Sequence, residues 1–242
     1  MAPPFAANLA AVRRRIEAAA SRAGRTPASV TLVGVGKTMP AARLREAIDA
    51  GLRDLGENKV QEARDKTPLV GPGARWHLVG HLQANKANLA ARLFDVVHSI
   101  DSVEILTRLE RGAAAAERRI EGLVQVDLAH EPTKSGVREE DLGSVLAAAE
   151  QCRSVMVRGL MVLPPFDLEP DRTRGYFRRL RALLEEEATR HPGLGLKELS
   201  MGMTGDFEVA IEEGATLVRV GRALFGERDK AGRESQTNVE TT

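Results

Sequence analysis

Short apolar runs rich in β-branched residues alternate with amphipathic segments along most of this 242-residue chain. The runs lie at residues 30–36, 52–56, 76–80, 94–100, 123–128, 155–163, 196–201 and 217–221. Residues with helical periodicity separate them, and a further helix is expected at residues 8–23, ahead of the first run. Eight strand–helix units in about 200 residues are typical of a (β/α)8 barrel. We therefore predict one α/β domain, a TIM-type barrel over residues 1–226 with an extra N-terminal helix. A doubly wound sheet is the main alternative.

Composition narrows the class of protein further. The 35 basic and 34 acidic side chains nearly cancel, which removes the electrostatic basis for binding nucleic acid. Cys152 is the single cysteine, so an internal disulfide is excluded and a reducing compartment is favoured. No signal peptide and no apolar run of membrane-spanning length are evident, so we expect a cytoplasmic protein without a membrane partner. Residues 227–242 are polar and aperiodic, which predicts a flexible tail.

The segment 199–226 contains two short strands that each end at a glycine, Gly202 and Gly221. In a (β/α)8 barrel, the loops after the seventh and eighth strands often bind phosphate through backbone N–H groups. The hydroxyls of Ser200 and Thr204 could donate further hydrogen bonds, although Thr204 could instead cap the next helix. The segment therefore predicts a site for a phosphorylated small molecule.

Two basic residues are expected near this predicted phosphate site. Lys37 ends the first strand, at the barrel face that carries chemistry, where apolar surroundings and nearby cations would make its amine a nucleophile toward carbonyls. A solvated loop lysine is an equally good interpretation from position alone. Arg219 lies inside the last strand, and contact with a ligand is favoured over pairing with a barrel carboxylate. A lysine able to form a Schiff base beside a phosphate site is what pyridoxal 5′-phosphate requires.

Several other polar residues have structural interpretations. Asn58 and Asn85 follow strands and could cap helices, which is the favoured role for Asn85. His77 falls within a strand and is interpreted as a wall residue with satisfied nitrogens, not as an acid or base. The histidines lack the spacing of metal ligands, so no metal site is expected. Asp206 and Glu208 are assigned to structure because they suit the first turn of a helix.

At this stage the chain resembles a known family through seven segments in a fixed order. They are VGVGKTMP (33–40), LGENKVQEARDK (55–66), WHLVGHLQANKAN (76–88), SIDSVEIL (99–106), VQVDLAHEPTKSG (124–136), VRGLMVLPP (157–165) and residues 199–226. Together they resemble the YggS/PROSC family of pyridoxal phosphate homeostasis proteins. The resemblance implies an alanine racemase-like barrel, which is fold type III among pyridoxal phosphate proteins.

The resemblance also implies roles for individual residues. It gives Lys37 the Schiff base with pyridoxal 5′-phosphate, places Arg219 near the pyridine nitrogen and places Asn58 beside the ring. The groups it places around the phosphate are the hydroxyls of Ser200 and Thr204 and the backbone of Gly202, Gly221 and Arg222. Thr204 stands where a serine is common and keeps the hydroxyl. Arg222 replaces a smaller residue, so its backbone N–H can serve while its side chain has no assigned role.

These roles predict binding without substantial catalysis. Arginine does not give up its proton, so an arginine that faces the ring nitrogen leaves that nitrogen unprotonated. An unprotonated ring is a weak electron sink. Racemases of this barrel type add a β-rich domain and a tyrosine base, whereas Tyr176 is the only tyrosine here and is expected away from the strand ends. We expect a monomer that holds the cofactor, delivers it to apo pyridoxal phosphate enzymes and influences vitamin B6 and amino-acid balance. The alternatives are a slow racemase or a lyase, and a Schiff-base aldolase that binds its substrate's phosphate.

Overall fold

The computed structural model describes residues 5–129, 135–165 and 169–226, and the tail expected at 227–242 lies outside them. Eight parallel strands form a closed barrel in which each strand pairs with its neighbours in chain order and β8 pairs with β1. The strands are β1 (Thr31–Val35), β2 (Asp54–Glu57), β3 (Arg75–Leu78), β4 (Val96–Ile100), β5 (Ile120–Gln125), β6 (Val155–Met161), β7 (Glu198–Ser200) and β8 (Leu217–Val220). The predicted (β/α)8 architecture is therefore confirmed.

Helices surround the barrel and connect its strands. They are α1 (Phe5–Arg22), α2 (Ala41–Asp49), α3 (Val60–Val70), α4 (Ala87–Leu93), α5 (Val103–Ala115), α6 (Glu139–Ala149), α7 (Pro170–Arg190), α8 (Phe207–Glu212) and α9 (Arg222–Phe225). Strand ends differ from prediction by one to a few residues, because apolar side chains also fill the connections. Leu52, for example, is buried two residues before β2 begins. In the described residues, no helix combines the length and apolar character needed to cross a membrane.

Two predicted helix caps are wrong. Asn85 lies within a 3-10 turn (Ala84–Lys86), and Lys86 occupies the N-cap position of α4. At α5, Asp101 and Glu104 have the sequence spacing of an N-cap and its partner, which predicts Asp101 as the cap. Ser102 is the cap instead, since its extended backbone lets its hydroxyl accept a hydrogen bond from the Ile105 N–H at 3.2 Å. The Asp101 carboxylate lies 3.3 Å from a ring nitrogen of His81.

The two residues with alternative cap assignments are not caps either. Lys59 occupies the N-cap position of α3, so Asn58 precedes it in the connection from β2. Asp206 occupies the N-cap position of α8, and its carboxylate accepts a hydrogen bond from the Met203 N–H at 2.5 Å. Thr204 lies in the turn before that position. Both Asn58 and Thr204 thus remain in loops at the barrel mouth.

The core has an apolar outer layer and a mixed interior. Aliphatic and aromatic side chains such as Leu9, Leu44, Leu109 and Phe177 are fully or almost fully buried between the strands and the helices. A small second cluster fills part of the barrel interior, comprising Val33, Val79, Leu123, Met161 and Leu217. Successive side chains alternate across a strand, so the residues between the outward-facing ones complete the interior. Several of those are polar, which is unusual for a packed barrel.

Helix α1 anchors the short helices that follow β7 and β8. The Phe5 and Phe225 rings lie 5.1 Å apart between centroids, and the Asn8 side chain donates to the carbonyl of Leu224 at 3.0 Å. Arg15 pairs with Glu208 on α8 at 2.8 Å. This pairing agrees with the structural role predicted for Glu208. The additional N-terminal helix thereby fixes the two loops that were predicted to bind phosphate.

We predict that Gly159→Ala destabilises the fold, because a Cβ there would lie 1.8 Å from the carbonyl oxygen of Glu198 on β7. Forcing β6 and β7 apart should lower the free energy of unfolding by about 1–3 kcal/mol. Gly143→Ala, inside α6, is the control, since its added Cβ would lie within 4 Å of no atom beyond the backbone of its own helix. It should raise the free energy of unfolding by roughly 1 kcal/mol. Urea denaturation measures both, and equal stability of the two variants would contradict the packing argument.

Candidate functional site

The carboxyl ends of the strands bring the predicted site loops together at one mouth of the barrel. Strand β1 lies between β2 and β8, with Val35 opposite Gly56 and Gly34 opposite Val220. A Cβ on Gly221 would lie 3.3 Å from the carbonyl oxygen of Val35. The loop that carries Lys37 is therefore the neighbour of the loops that carry Asn58 and Gly221.

The loops after β7 and β8 present backbone donors toward this mouth. Gly202 has a φ of +93°, and a Cβ there would lie 2.6 Å from the side chain of Ala210. Its carbonyl accepts from the Arg219 N–H at 3.0 Å, which ties the β7 loop to β8. Within the described part of the chain, the N–H groups of Gly202, Thr204, Gly221 and Arg222 form no hydrogen bond. Donors held in this way suit an anion.

Arg219 is the central charge of the site. It is 3% exposed, and its guanidinium donates to the Ser200 hydroxyl at 2.5 Å and to the Val162 carbonyl at 2.9 Å. Burial lowers its pKa to about 10, so the side chain stays cationic at neutral pH. No ion pair joins it to a carboxylate among the residues described, and Asp206 acts on it only through space. The alternative of a paired barrel arginine is therefore wrong for that part of the chain.

The loop of Lys37 is held by a buried ionic cluster outside the barrel wall. Lys66 on α3 donates to the Gly36 carbonyl at 2.9 Å, to Glu57 at 2.8 Å and to Glu62 at 2.6 Å. Glu62 also accepts from the Thr38 N–H at 2.5 Å, and Thr38 has a left-handed φ of 67°. The cluster therefore contacts the residue on each side of the half-buried Lys37.

Glu57 is the buried carboxylate of that cluster. It is fully buried, and one of its oxygens has no hydrogen-bond partner in the described residues. Burial raises its pKa to about 7, although the Lys66 ammonium acts in the opposite direction. One lysine shared between Glu57 and Glu62 leaves a net negative charge, which favours proton binding at the buried carboxylate. Sequence reasoning missed Lys66, whose only signal was an i, i+4 spacing from Glu62.

A second polar network runs through the barrel interior. Asp54 lies 2.9 Å from Nε2 of His77, and Nδ1 of His77 lies 2.9 Å from Nε2 of His98. Nδ1 of His98 lies 2.7 Å from Oγ of Ser200, which also accepts from Arg219. Both rings are fully buried. Both ring nitrogens of His77 have hydrogen-bond partners, as predicted, while Asp54 and His98 were missed.

Tyr176 lies outside the barrel mouth. It lines a surface groove with Leu128, Glu139 and Arg179, between α6 and α7. Its ring is half-buried there. This agrees with the expectation that the tyrosine is separate from the strand ends that hold Lys37 and Arg219.

Known proteins resemble this chain over most of its length and most of theirs. The family described as alanine racemase, N-terminal domain, matches residues 7–229. A pyridoxal phosphate homeostasis protein of Pseudomonas aeruginosa is 45% identical over 226 residues, which are 93% of this chain and 96% of the relative. One of the same name from Escherichia coli is 42% identical over 229 residues, covering 93% of this chain and 97% of the relative.

A solved structure shares the fold in full. PipY of Synechococcus elongatus, determined with PLP bound, is 40% identical and superposes with a TM-score of 0.83. The match covers 92% of this chain and 100% of the PipY chain.

We predict that Glu57 makes the stability depend on pH. Its folded pKa of about 7 exceeds the ordinary 4.5, so the folded state binds the proton more tightly and loses stability as the pH rises through that interval. Relative to Glu57→Gln, the free energy of unfolding of the native chain should fall by on the order of 2 kcal/mol as the pH rises from the ordinary pKa to the folded pKa of Glu57. Chemical denaturation at several pH values measures the difference. Glu104→Gln, an exposed change on α5, is the control and should leave the pH dependence of the free energy of unfolding unchanged. The same pH dependence in the native chain and in Glu57→Gln would refute the assignment.

Proposed function

This chain belongs to the pyridoxal phosphate homeostasis proteins, within the alanine racemase N-terminal domain family, and from that premise we propose that it binds pyridoxal 5′-phosphate at its barrel mouth. The structure of the relative PipY with PLP bound supports the choice of ligand. The observation that carries the proposal is a buried, cationic Arg219 without an ion-pair partner among the described residues, beside two loops with unbonded N–H groups.

The residues at the mouth fit the parts of this cofactor. The backbone N–H groups of Gly202, Thr204, Gly221 and Arg222 would hold the phosphate, with the hydroxyls of Ser200 and Thr204 as further donors. Arg219 would face the pyridine nitrogen, and Asn58 would lie beside the ring. Lys37 would hold the aldehyde through a Schiff-base link, because its loop borders those of Asn58 and Gly221.

The proposed role is to hold the cofactor and release it, and so to act in vitamin B6 and amino-acid homeostasis. When bound, the cofactor supplies an electrophilic aldehyde carbon and a ring that can accept electrons. The Arg219 guanidinium, protonated at neutral pH, has donors only and gives the ring nitrogen no proton. Tyr176 lies in the groove between α6 and α7, so it would not act as a base at Lys37. These features support binding without substantial turnover. We propose further that the protein is a cytoplasmic monomer that passes the cofactor to apo enzymes.

We predict that Lys37→Ala abolishes covalent capture of the cofactor. Borohydride reduction followed by peptide mass spectrometry should locate the cofactor on Lys37 in the native chain and find none in the variant. Noncovalent binding should persist, since the N–H groups and Arg219 are separate from the lysine. Lys59→Ala, an exposed change at the start of α3, is the matched control and should retain full capture. Capture on another lysine would refute the assignment, and a colourless native protein would favour a Schiff-base aldolase.

We also predict that the loaded protein produces no D-isomer above the uncatalysed level when it is incubated with single L-amino acids. Chiral chromatography measures the product, with a racemase of the same barrel type as the positive control. Formation of D-isomers or of cleavage products at ordinary enzyme rates of roughly 1 per second or more would establish a racemase or lyase and end the holding role.

A further inference from the structure

The hydrogen-bonded chain Asp54–His77–His98–Ser200, here called the interior relay, crosses the barrel from one rim to the other. Asp54 is the first residue of β2, at the rim opposite the mouth, and its side chain is 20% exposed. Ser200 is the last residue of β7, at the mouth. The ring contacts between them measure 2.9, 2.9 and 2.7 Å. The relay thus joins solvent at one rim to the proposed phosphate site at the other.

The direction of every hydrogen bond in the interior relay is determined when Asp54 is a carboxylate. A carboxylate only accepts, so Nε2 of His77 donates to it. Burial lowers the pKa of His77 and lowers that of His98 well below its ordinary value, so each ring is neutral and carries one proton. Nδ1 of His77 must then accept from Nε2 of His98, and Nδ1 of His98 must accept from the Ser200 hydroxyl.

This order prevents Ser200 from binding a phosphate oxygen. Its single proton is directed to His98, and its oxygen accepts from the Arg219 guanidinium at 2.5 Å. The lone pair that remains can only accept a hydrogen bond. The oxygens of a phosphate dianion also only accept, so the two groups cannot bond until the Ser200 proton is redirected.

We propose that Asp54, His77 and His98 are positioning residues that set the direction of the Ser200 hydroxyl, and that binding of a phosphate at the mouth is coupled to uptake of one proton at the Asp54–His77 pair. The inference rests on the proposed function, in which Ser200 contacts the phosphate.

The added proton reverses the interior relay and needs no movement of heavy atoms. It enters from solvent at the mouth and binds the Ser200 oxygen, while the original Ser200 proton passes to Nδ1 of His98 and the Nε2 proton of His98 passes to Nδ1 of His77. The added positive charge then lies on His77, which keeps its Nε2–H directed to Asp54. Nδ1–H of His77 then donates to His98, and Nδ1–H of His98 donates to the oxygen of Ser200. The hydroxyl proton is thereby directed to the phosphate, while Arg219 continues to donate to the same oxygen. One proton enters and none leaves.

The charges around the interior relay explain why anion binding favours proton uptake. On the rim side, Arg75 lies 3.9 Å from Asp54 and pairs with Glu121 at 2.7 Å, and Asp95 precedes β4. Arg75 and Arg219 oppose a proton on the rings, whereas Asp54 and Asp95 favour one on His77. An anion beside Arg219 offsets the field of that arginine, so it raises the proton affinity of the relay. By reciprocity, the protonated relay binds the anion more tightly.

Inorganic sulfate tests the coupling, because it remains an acceptor-only dianion across the neutral range. Isothermal titration calorimetry in buffers of different ionisation enthalpy counts the protons taken up. The native chain should take up close to one proton per sulfate, and its dissociation constant should rise about tenfold for each pH unit above neutrality. Uptake near zero, or no sulfate binding at the concentrations of the titration, would overturn the proposal.

Variants separate positioning from a merely structural role. Asp54→Asn can turn its amide to donate or to accept, so it should bind sulfate without proton uptake and with a flattened pH profile. His98→Asn, which breaks the relay at its centre, should show the same loss of uptake. Glu185→Gln removes an exposed charge on α7, outside the relay, and it should keep the native uptake. Native uptake in both relay variants would overturn the proposal.

A parallel titration with pyridoxal 5′-phosphate keeps the two proposals apart. Sulfate-linked uptake without capture of the cofactor would remove the proposed function and leave the relay in place. Capture of the cofactor with no sulfate-linked uptake would remove the relay and leave the proposed function.

Discussion

The buried guanidinium of Arg219 is the charge around which the barrel mouth is arranged. A cation that is 3% exposed must have its donors satisfied, and here neutral oxygens do this on β7 and in the connection after β6. Those contacts fix Ser200 and Val162 around β8, while the Arg219 N–H fixes Gly202. Because the arginine has no ion-pair partner among the described residues, its charge is directed to whatever occupies the mouth. That arrangement is costly for a structural residue and useful for holding an anion.

The two polar networks lie on opposite sides of the barrel wall and position different parts of the mouth. Glu57 and Gly56 are successive residues of β2, so Glu57 faces α3 while Gly56 faces the interior beside Val33 and Val79. The outer cluster of Lys66, Glu57 and Glu62 holds the Lys37 loop through Gly36 and Thr38. The interior relay acts on Ser200 instead. The lysine and the phosphate donors are therefore positioned by separate sets of contacts.

The sequence predicts the barrel and most of the mouth because these depend on local patterns. Alternating apolar runs gave the eight strands, and strand ends gave Lys37, Gly202 and Gly221 as neighbours, since parallel strands end at one rim. The interior relay depends instead on register across β2, β3, β4 and β7, which single-residue patterns do not contain. His77 and His98 each lie in the middle of an apolar strand, and only their pairing in space reveals a network. The Ser102 cap was missed because Asp101 and Glu104 have the spacing of a cap and its partner, whereas the extended backbone of Ser102 is seen only in the structure.

The interior relay also explains why this barrel has polar residues where a packed core would have aliphatic ones. Replacing two buried rings by leucine would fill the space and leave no polar atom to satisfy, which is often neutral or favourable for stability. Without an added proton, the contacts of both rings are satisfied in one order of donors, and that order ends on the serine that touches Arg219. Stability alone does not require such an order, whereas control of the serine hydroxyl does. The physical cost of the buried histidines thus supports a role at the mouth, 102 residues along the chain from His98.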